Sequence, residues 1–380
     1  MYPLRRRIHS PFLTAYAAQR VRQGALLWLL CSLASTRLNA RKIHPNRFVA
    51  AFFACVGWLF GYTIYSKEQY VTKLNDWIKH HQVATFFLIA FVISWAIWLL
   101  SPYLSAGDND AKLVITLIGA YGPALAAIFV SGIANPEQSG IRSVTRWGIA
   151  VPVFLVVNMI WLVSTEKYGS FDPSNLVLFT SKLVLAAFVA FVISGIFSGR
   201  AGVRDLLLPL IDWRVKPVWY IIVILGIPLL ITLGIFMAWL LNAPFPTENY
   251  SVQPQPWYHL LPGLLLAYVQ TMLFQGPLNE EPGWRGFALP RLQNARGSII
   301  ASIVIGVVWG LWHAPLYFTG IYPGGIEEMM GRLLWTVPLA FIFTWVYKHT
   351  HGSLLMSVLL HTSINFQGDI TYLVIQALPG

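Results

Sequence analysis

Apolar runs of 17 residues or more recur from one end of the chain to the other. A run of about 20 such residues is what a helix needs to cross a bilayer. They fall at 84–104, 113–133, 147–164, 176–197, 217–241, 259–294, 298–318, 332–348 and 352–375. A further run, 48–65, is long enough to cross, and a shorter one, 24–35, suits the membrane interface. Continuous runs exclude a β-barrel, whose strands alternate apolar and polar residues. Only 11% of the 380 residues are charged, well short of the roughly 25% usual for soluble domains. The fold class is all-α, a polytopic transmembrane bundle of about ten helices, without internal repeats. The lipid bilayer is its first partner.

Charge is distributed unevenly. The chain carries +11 overall, and residues 1–66 hold nine Arg or Lys and no acid. This basic head reads as a tail on an anionic membrane surface; no nucleic-acid motif accompanies it, and nucleic acid is excluded as a partner. Lys and Arg concentrate in loops on the cytoplasmic side of membrane proteins. The loops 66–83, 134–146, 198–216, the turn near 297 and 348–351 hold twelve, whereas the opposite set holds only Lys112, Lys167 and Arg332. The first set is therefore read as cytoplasmic, and the protein as an integral, multi-pass component of the plasma (inner) membrane. Lys182 falls near a helix end, from which it can snorkel. Cys31 and Cys55 lie in apolar stretches and have no metal-ligand spacing.

Against this apolar background stands LNEEPGWRGFALPRLQ, residues 278–293. Ionisable groups at membrane depth are costly and face partners or watery cavities. Glu281 and Arg285, four apart, share a helix face and can pair. Glu280 points about 100° away and is left for chemistry. Pro282 and Gly283 are expected to kink the helix and open backbone groups toward a cavity. Two later helices carry histidines, His313 in WGLWH (309–313) and His361 in HTSIN (361–365). If the helices on either side of Gly297 are antiparallel, Glu280 and His313 both lie roughly 24 Å from that turn. His361 reaches a similar depth. Trp309 and His313 share one face, as do His361 and Asn365, and the latter two could donate to an oxyanion. Singly, each has a bland reading as a packing lock or an interhelical hydrogen bond; jointly they mark one polar layer.

At these residues the chain resembles the CPBP intramembrane protease family, the CAAX-processing and bacteriocin-processing group also called Abi. The family pattern is EExxxR, then FxxxH, then HxxxN or HxxxD. Here these are Glu280-Glu281-Pro282-Gly283-Trp284-Arg285, then Trp309 to His313 with Trp in place of Phe, then His361 to Asn365. The likeness covers roughly 84–375, most securely 259–366. It implies a core of about eight helices and three regions: a basic extension over 1–83, membrane helices over 84–258 and a catalytic core over 259–375. It also implies an intramembrane endopeptidase of CAAX prenyl type, cutting a membrane-associated peptide or protein that is prenylated or bears a leader. Glu280 would activate water with His313 as partner. His361 and Asn365 would steady the oxyanion, and Glu281, Arg285 and Trp309 would support the site. Zinc is the implied ion, on Glu280, His313 and His361, although those side chains could also hold water directly. Access is expected from the cytoplasmic side. The rivals are a proton-coupled transporter and a non-catalytic immunity or scaffold protein.

Overall fold

A computed structural model describes residues 71–162, 174–241 and 257–367. The chain divides into Met1–Val71 and Thr72–Gly380; the runs at 24–35 and 48–65, and with them the basic head, lie outside the described residues. Within the second unit the order is α1 (Gln82–Leu104), α2 (Asn109–Gly119), α3 (Gly122–Ala134), α4 (Ser143–Leu162), α5 (Leu176–Ser194), α6 (Ala201–Leu207) and α7 (Pro217–Leu240). Then come α8 (Trp257–Phe274), α9 (Pro277–Glu281), a π-helical segment (Pro282–Ala288), α10 (Leu289–Trp312), α11 (Ala314–Phe318), α12 (Ile326–His349) and α13 (Leu354–Asn365). Among the described residues, strand-like pairing is limited to an isolated bridge between Gln138 and Arg200.

Seven helical stretches among the described residues are long and apolar enough to cross a membrane. Their outward faces are apolar: Leu225, Leu229, Leu233 and Phe236 of α7 are all exposed, as lipid contact requires. The run read as one helix over 113–133 is two, α2 and α3, broken at Ala120 and Tyr121. Prolines within α1, α4, α7, α8 and α12 are accommodated without ending the helix, as is common for membrane helices.

Helices α10 and α12 pack closely because Gly306 and Gly310 present no side chain. A Cβ on Gly306 would come within 2.6 Å of Val337 Cα, and one on Gly310 within 3.0 Å of Leu333 Cα. Small residues four apart let backbones approach in this way. Thr336 Oγ1 donates to Gly306 O at 2.9 Å and Ser302 Oγ donates to Thr344 Oγ1 at 2.7 Å. This contact fixes the face of α10 that carries Trp309. Lys182 does not snorkel. It is fully buried on α5, with its ammonium 5.6 Å from the centre of the Trp161 ring.

One polar contact joins two helix starts. Asp108 caps α2 by accepting from Ala111 N at 2.8 Å, and Asn175 caps α5 by accepting from Leu178 N at 3.1 Å. Asn175 Nδ2 donates to the second carboxylate oxygen of Asp108. The Ala111 N–H, and then the Asn175 amide, hold the Asp108 carboxyl below its usual value. A depressed folded-state pKa gives stability above the unfolded value that is lost as pH falls through the folded one. Asp108→Ala should therefore cost about 1 kcal/mol near neutral pH. The difference from wild type should shrink in acid, below the carboxylate range, and thermal melts at both pH values check this.

Candidate functional site

The chain is broken where the carboxylates begin. Helix α8 stops at Phe274, and Gly276 takes φ +117°, a conformation that strongly favours glycine. Pro277 then opens α9, at a position where a helix N–H has no intrahelical partner in any case. Breaking a helix at membrane depth strands carbonyls, and side chains from other helices satisfy them. Tyr121 Oη donates to Leu273 O at 3.1 Å, and Asn365 Nδ2 donates to Gln275 O at 2.6 Å. The expected kink at Pro282 is not the break. There the chain widens into a π-helical turn that continues into α10, and the break lies six residues earlier.

The two carboxylates divide their work. Glu281 Oε1 accepts from Arg285 Nη1 at 2.8 Å and from His361 Nδ1 at 2.7 Å. The Arg285 guanidinium carbon lies 3.6 Å from the ring centre of Phe343 and 4.6 Å from that of Trp309. A fully buried cation is thus held by one carboxylate and two π faces. Glu280 Oε2 accepts from Trp309 Nε1 at 2.6 Å and from Trp284 Nε1 at 3.2 Å. Among the described residues no hydrogen bond joins Glu280 to His313; the partner nearest to hand is the Trp309 indole. His313 Nδ1 donates to Trp309 O at 2.8 Å.

These bonds set the tautomers. Carboxylate and carbonyl oxygens can only accept, so both Nδ1 atoms carry protons and both neutral imidazoles keep a lone pair at Nε2. Glu280 Oε1, His361 Nε2 and Asn365 Nδ2 converge. A Cβ on Gly276 would sit 2.8, 3.2 and 3.0 Å from them respectively. That point is therefore a cradle for one small polar group, kept open by the missing side chain. It belongs to a cavity of about 370 Å³ whose walls include Glu280, Trp309, His313, His361 and Asn365. Glu281 and Arg285 stand behind this wall. Gly276, Trp284, Tyr322 and Arg332 also belong to the site or its wall and were not picked out from the sequence. Arg332, counted there among loop residues, lies within α12.

The donor types on this wall suit zinc, and the Glu281–His361 bond is of the kind that orients a metal-binding imidazole. Among the described residues, however, no three His, Cys, Asp or Glu side chains stand together closely enough to hold a metal ion. The cavity is built from Leu113, Thr116 and Leu117 of α2, the C-terminal ends of α10 and α13 and the N-terminal half of α12. These ends lie opposite the Gly297 turn (φ 78°, ψ 167°). The Arg- and Lys-rich loops share the Gly297 end. If those loops are cytoplasmic, the cavity is entered from the other side.

Residues 261–367 match a family model described as Type II CAAX prenyl endopeptidase Rce1-like. The chain is also 25% identical over 232 residues to the CAAX prenyl protease 2 of Methanococcus maripaludis, an alignment spanning 57% of this chain and 81% of the relative. The matched segment contains all three motifs and the cradle. Residues 261–367 are thus similar to an Rce1-like CAAX prenyl protease domain, consistent with the CPBP family that the motifs resemble.

Proposed function

We propose that the protein is an intramembrane endopeptidase in which Glu280 is the general base. The convergence of Glu280 Oε1, His361 Nε2 and Asn365 Nδ2 on one point carries this reading. A water there accepts from the Asn365 amide and donates to Glu280 Oε1. Its oxygen attacks the scissile carbonyl carbon as its proton passes to Glu280. The new oxyanion takes a hydrogen bond from Asn365, and a second from His361 Nε2 when that ring has taken up a proton from solvent, with Glu281 as counter-charge. The proton on Glu280 passes to the leaving nitrogen as the C–N bond breaks. His313 offers its second ring nitrogen from the same cavity wall. Zinc, implied by the family resemblance, would draw on Glu280, His313 and His361 if they closed around it; none of these steps uses it.

The substrate is a peptide end at the membrane, prenylated or leader-bearing. The Rce1-like match and the name of the archaeal relative support this class. Trp309 is a positioning residue: its indole N–H holds Glu280 Oε2 and so turns Oε1 toward the water.

Three experiments test the reading. Glu280→Gln should abolish cleavage of a prenylated peptide while the protein still inserts and melts cooperatively; full activity in that variant rejects the base. Trp309→Phe keeps a ring over Arg285 but loses the N–H, a bond to a charged group worth about 1.5–3 kcal/mol. It should lower kcat/KM at least tenfold and displace the acidic limb of the pH–rate profile, which a purely packing role would leave in place. Gly276→Ala puts a methyl group in the cradle and strains the backbone by about 1–2 kcal/mol. It should cost roughly hundredfold in kcat, far more than its effect on the melting temperature would suggest.

A fourth concerns access. In a chain with Cys31 and Cys55 replaced by Ser, Glu327→Cys lies near the cavity end and Arg296→Cys beside the Gly297 turn, both at exposed positions. A membrane-impermeant maleimide applied to intact cells should label the first and spare the second. The reverse pattern restores cytoplasmic access.

A further inference from the structure

Arg332 is a cation on the wall of the catalytic cavity without an acid to answer it. It lies in the second turn of α12, half-buried, inside a stretch long and apolar enough to span the membrane. Among the described residues no carboxylate comes within ion-pair distance of it. Glu328, four residues earlier and well placed to pair along the helix, instead accepts from Gly325 N at 2.8 Å. The contrast with Arg285 is sharp, since Arg285 has Glu281 at 2.8 Å.

Arg332 is nevertheless held in place. Its Nε donates to Tyr317 Oη at 3.3 Å, and its guanidinium carbon lies 5.0 Å from the ring centre of Tyr322. Tyr322 packs edge-on against Tyr317 and lies parallel to the His313 ring at 6.3 Å. Tyr317 and Tyr322 thus flank a planar fork that lies on the cavity wall. Such a fork matches the two oxygens of a carboxylate. An ionisable group kept at this depth without a resident counter-ion marks a ligand position.

We infer that Arg332, braced by Tyr317 and Tyr322, binds the free α-carboxylate at the C-terminus of the peptide that Glu280 helps to cut. This rests on the endopeptidase reading for its substrate, and it makes the protein a reader of chain ends. A peptide that ends in a carboxylate is anchored at Arg332 with its scissile bond toward the cradle; one that continues, or ends in an amide, is not.

The probe is a short farnesylated peptide in two forms, free acid and C-terminal amide. Binding is measured on the Glu280→Gln protein and cleavage on the wild type. Glu280→Gln should bind the acid at least tenfold more tightly than the amide, and adding Arg332→Gln should bring the acid down to the level of the amide. Arg332→Lys, which keeps the charge without the fork, should retain part of the preference, and thermal melts confirm that each variant is folded. Equal binding of acid and amide with Arg332 intact, or a preference that survives Arg332→Gln, overturns the subsite. The two readings fail separately. Cleavage of both peptides at equal rates, with equal binding, removes the subsite and leaves the protease. Acid-selective binding lost with Arg332, but no cleavage by the wild type, keeps the subsite and removes the protease.

Discussion

A helix cannot stop inside a bilayer without finding partners for the carbonyls it leaves behind. The break between Phe274 and Pro277 imposes that requirement, and the surrounding bundle answers it. Tyr121, on the α2–α3 break, reaches Leu273 O, and Asn365, at the end of α13, reaches Gln275 O. Asn365 thereby does two things at once. One amide hydrogen closes the broken backbone, which leaves the other free for the cradle. The cavity and the defect in the helix are the same feature: polar side chains are drawn to stranded carbonyls, and once there they surround the space that the missing Gly276 side chain leaves open.

The paired glutamates raise a second cost, two carboxylates side by side away from bulk water. They are separated by giving each a different kind of partner. Glu281 takes the charged one, Arg285, and shares its oxygen with His361, so both supports of the site hang from a single atom. Glu280 takes neutral donors, two indole N–H groups on one oxygen, and its other oxygen stays unengaged among the described residues. Replacing either indole by a phenyl ring would remove a donor without changing the packing much. The Trp at 309, where the family pattern has Phe, thus adds to the Glu280 carboxylate a hydrogen bond that the pattern residue cannot supply.

What could be read from the sequence is what spacing determines. The i,i+4 pairing of Glu281 with Arg285 follows from helix geometry alone, and the common depth of Glu280 and His313 follows from counting residues from Gly297, that of His361 from counting beyond the turn at His351 and Gly352. Features that depend on backbone angles or on neighbours were not legible. Pro282 looked like the kink, but α9 ends at Glu281 and from Pro282 the chain widens into a π turn that carries the helix on into α10. The actual break lies at Gly276, where the Gly276-Pro277 pair is a turn signal that the sequence reading passed over. Lys182 was placed near a helix end by hydropathy, whereas packing against Trp161 buries it. Arg332 was taken for a loop residue because Pro323-Gly324-Gly325 lies close before it; the helix starts immediately after that stretch.

The orientation problem turns on those same residues. Of the three cations assigned to the non-cytoplasmic loops, two are not loop charges in any electrostatic sense. Lys112 Nζ donates to Thr319 O at 3.0 Å and ties α2 to the segment after α11, while Arg332 faces the cavity. Discounting them leaves Lys167, outside the described residues, as the remaining cation of that set in the sequence, against twelve in the other. The charge asymmetry on which the expected orientation rests is therefore steeper than a plain count gives. A cation spent on structure or on ligand binding carries little weight in topology. In this bundle the same inspection that removes Arg332 from the loop count assigns it to the cavity.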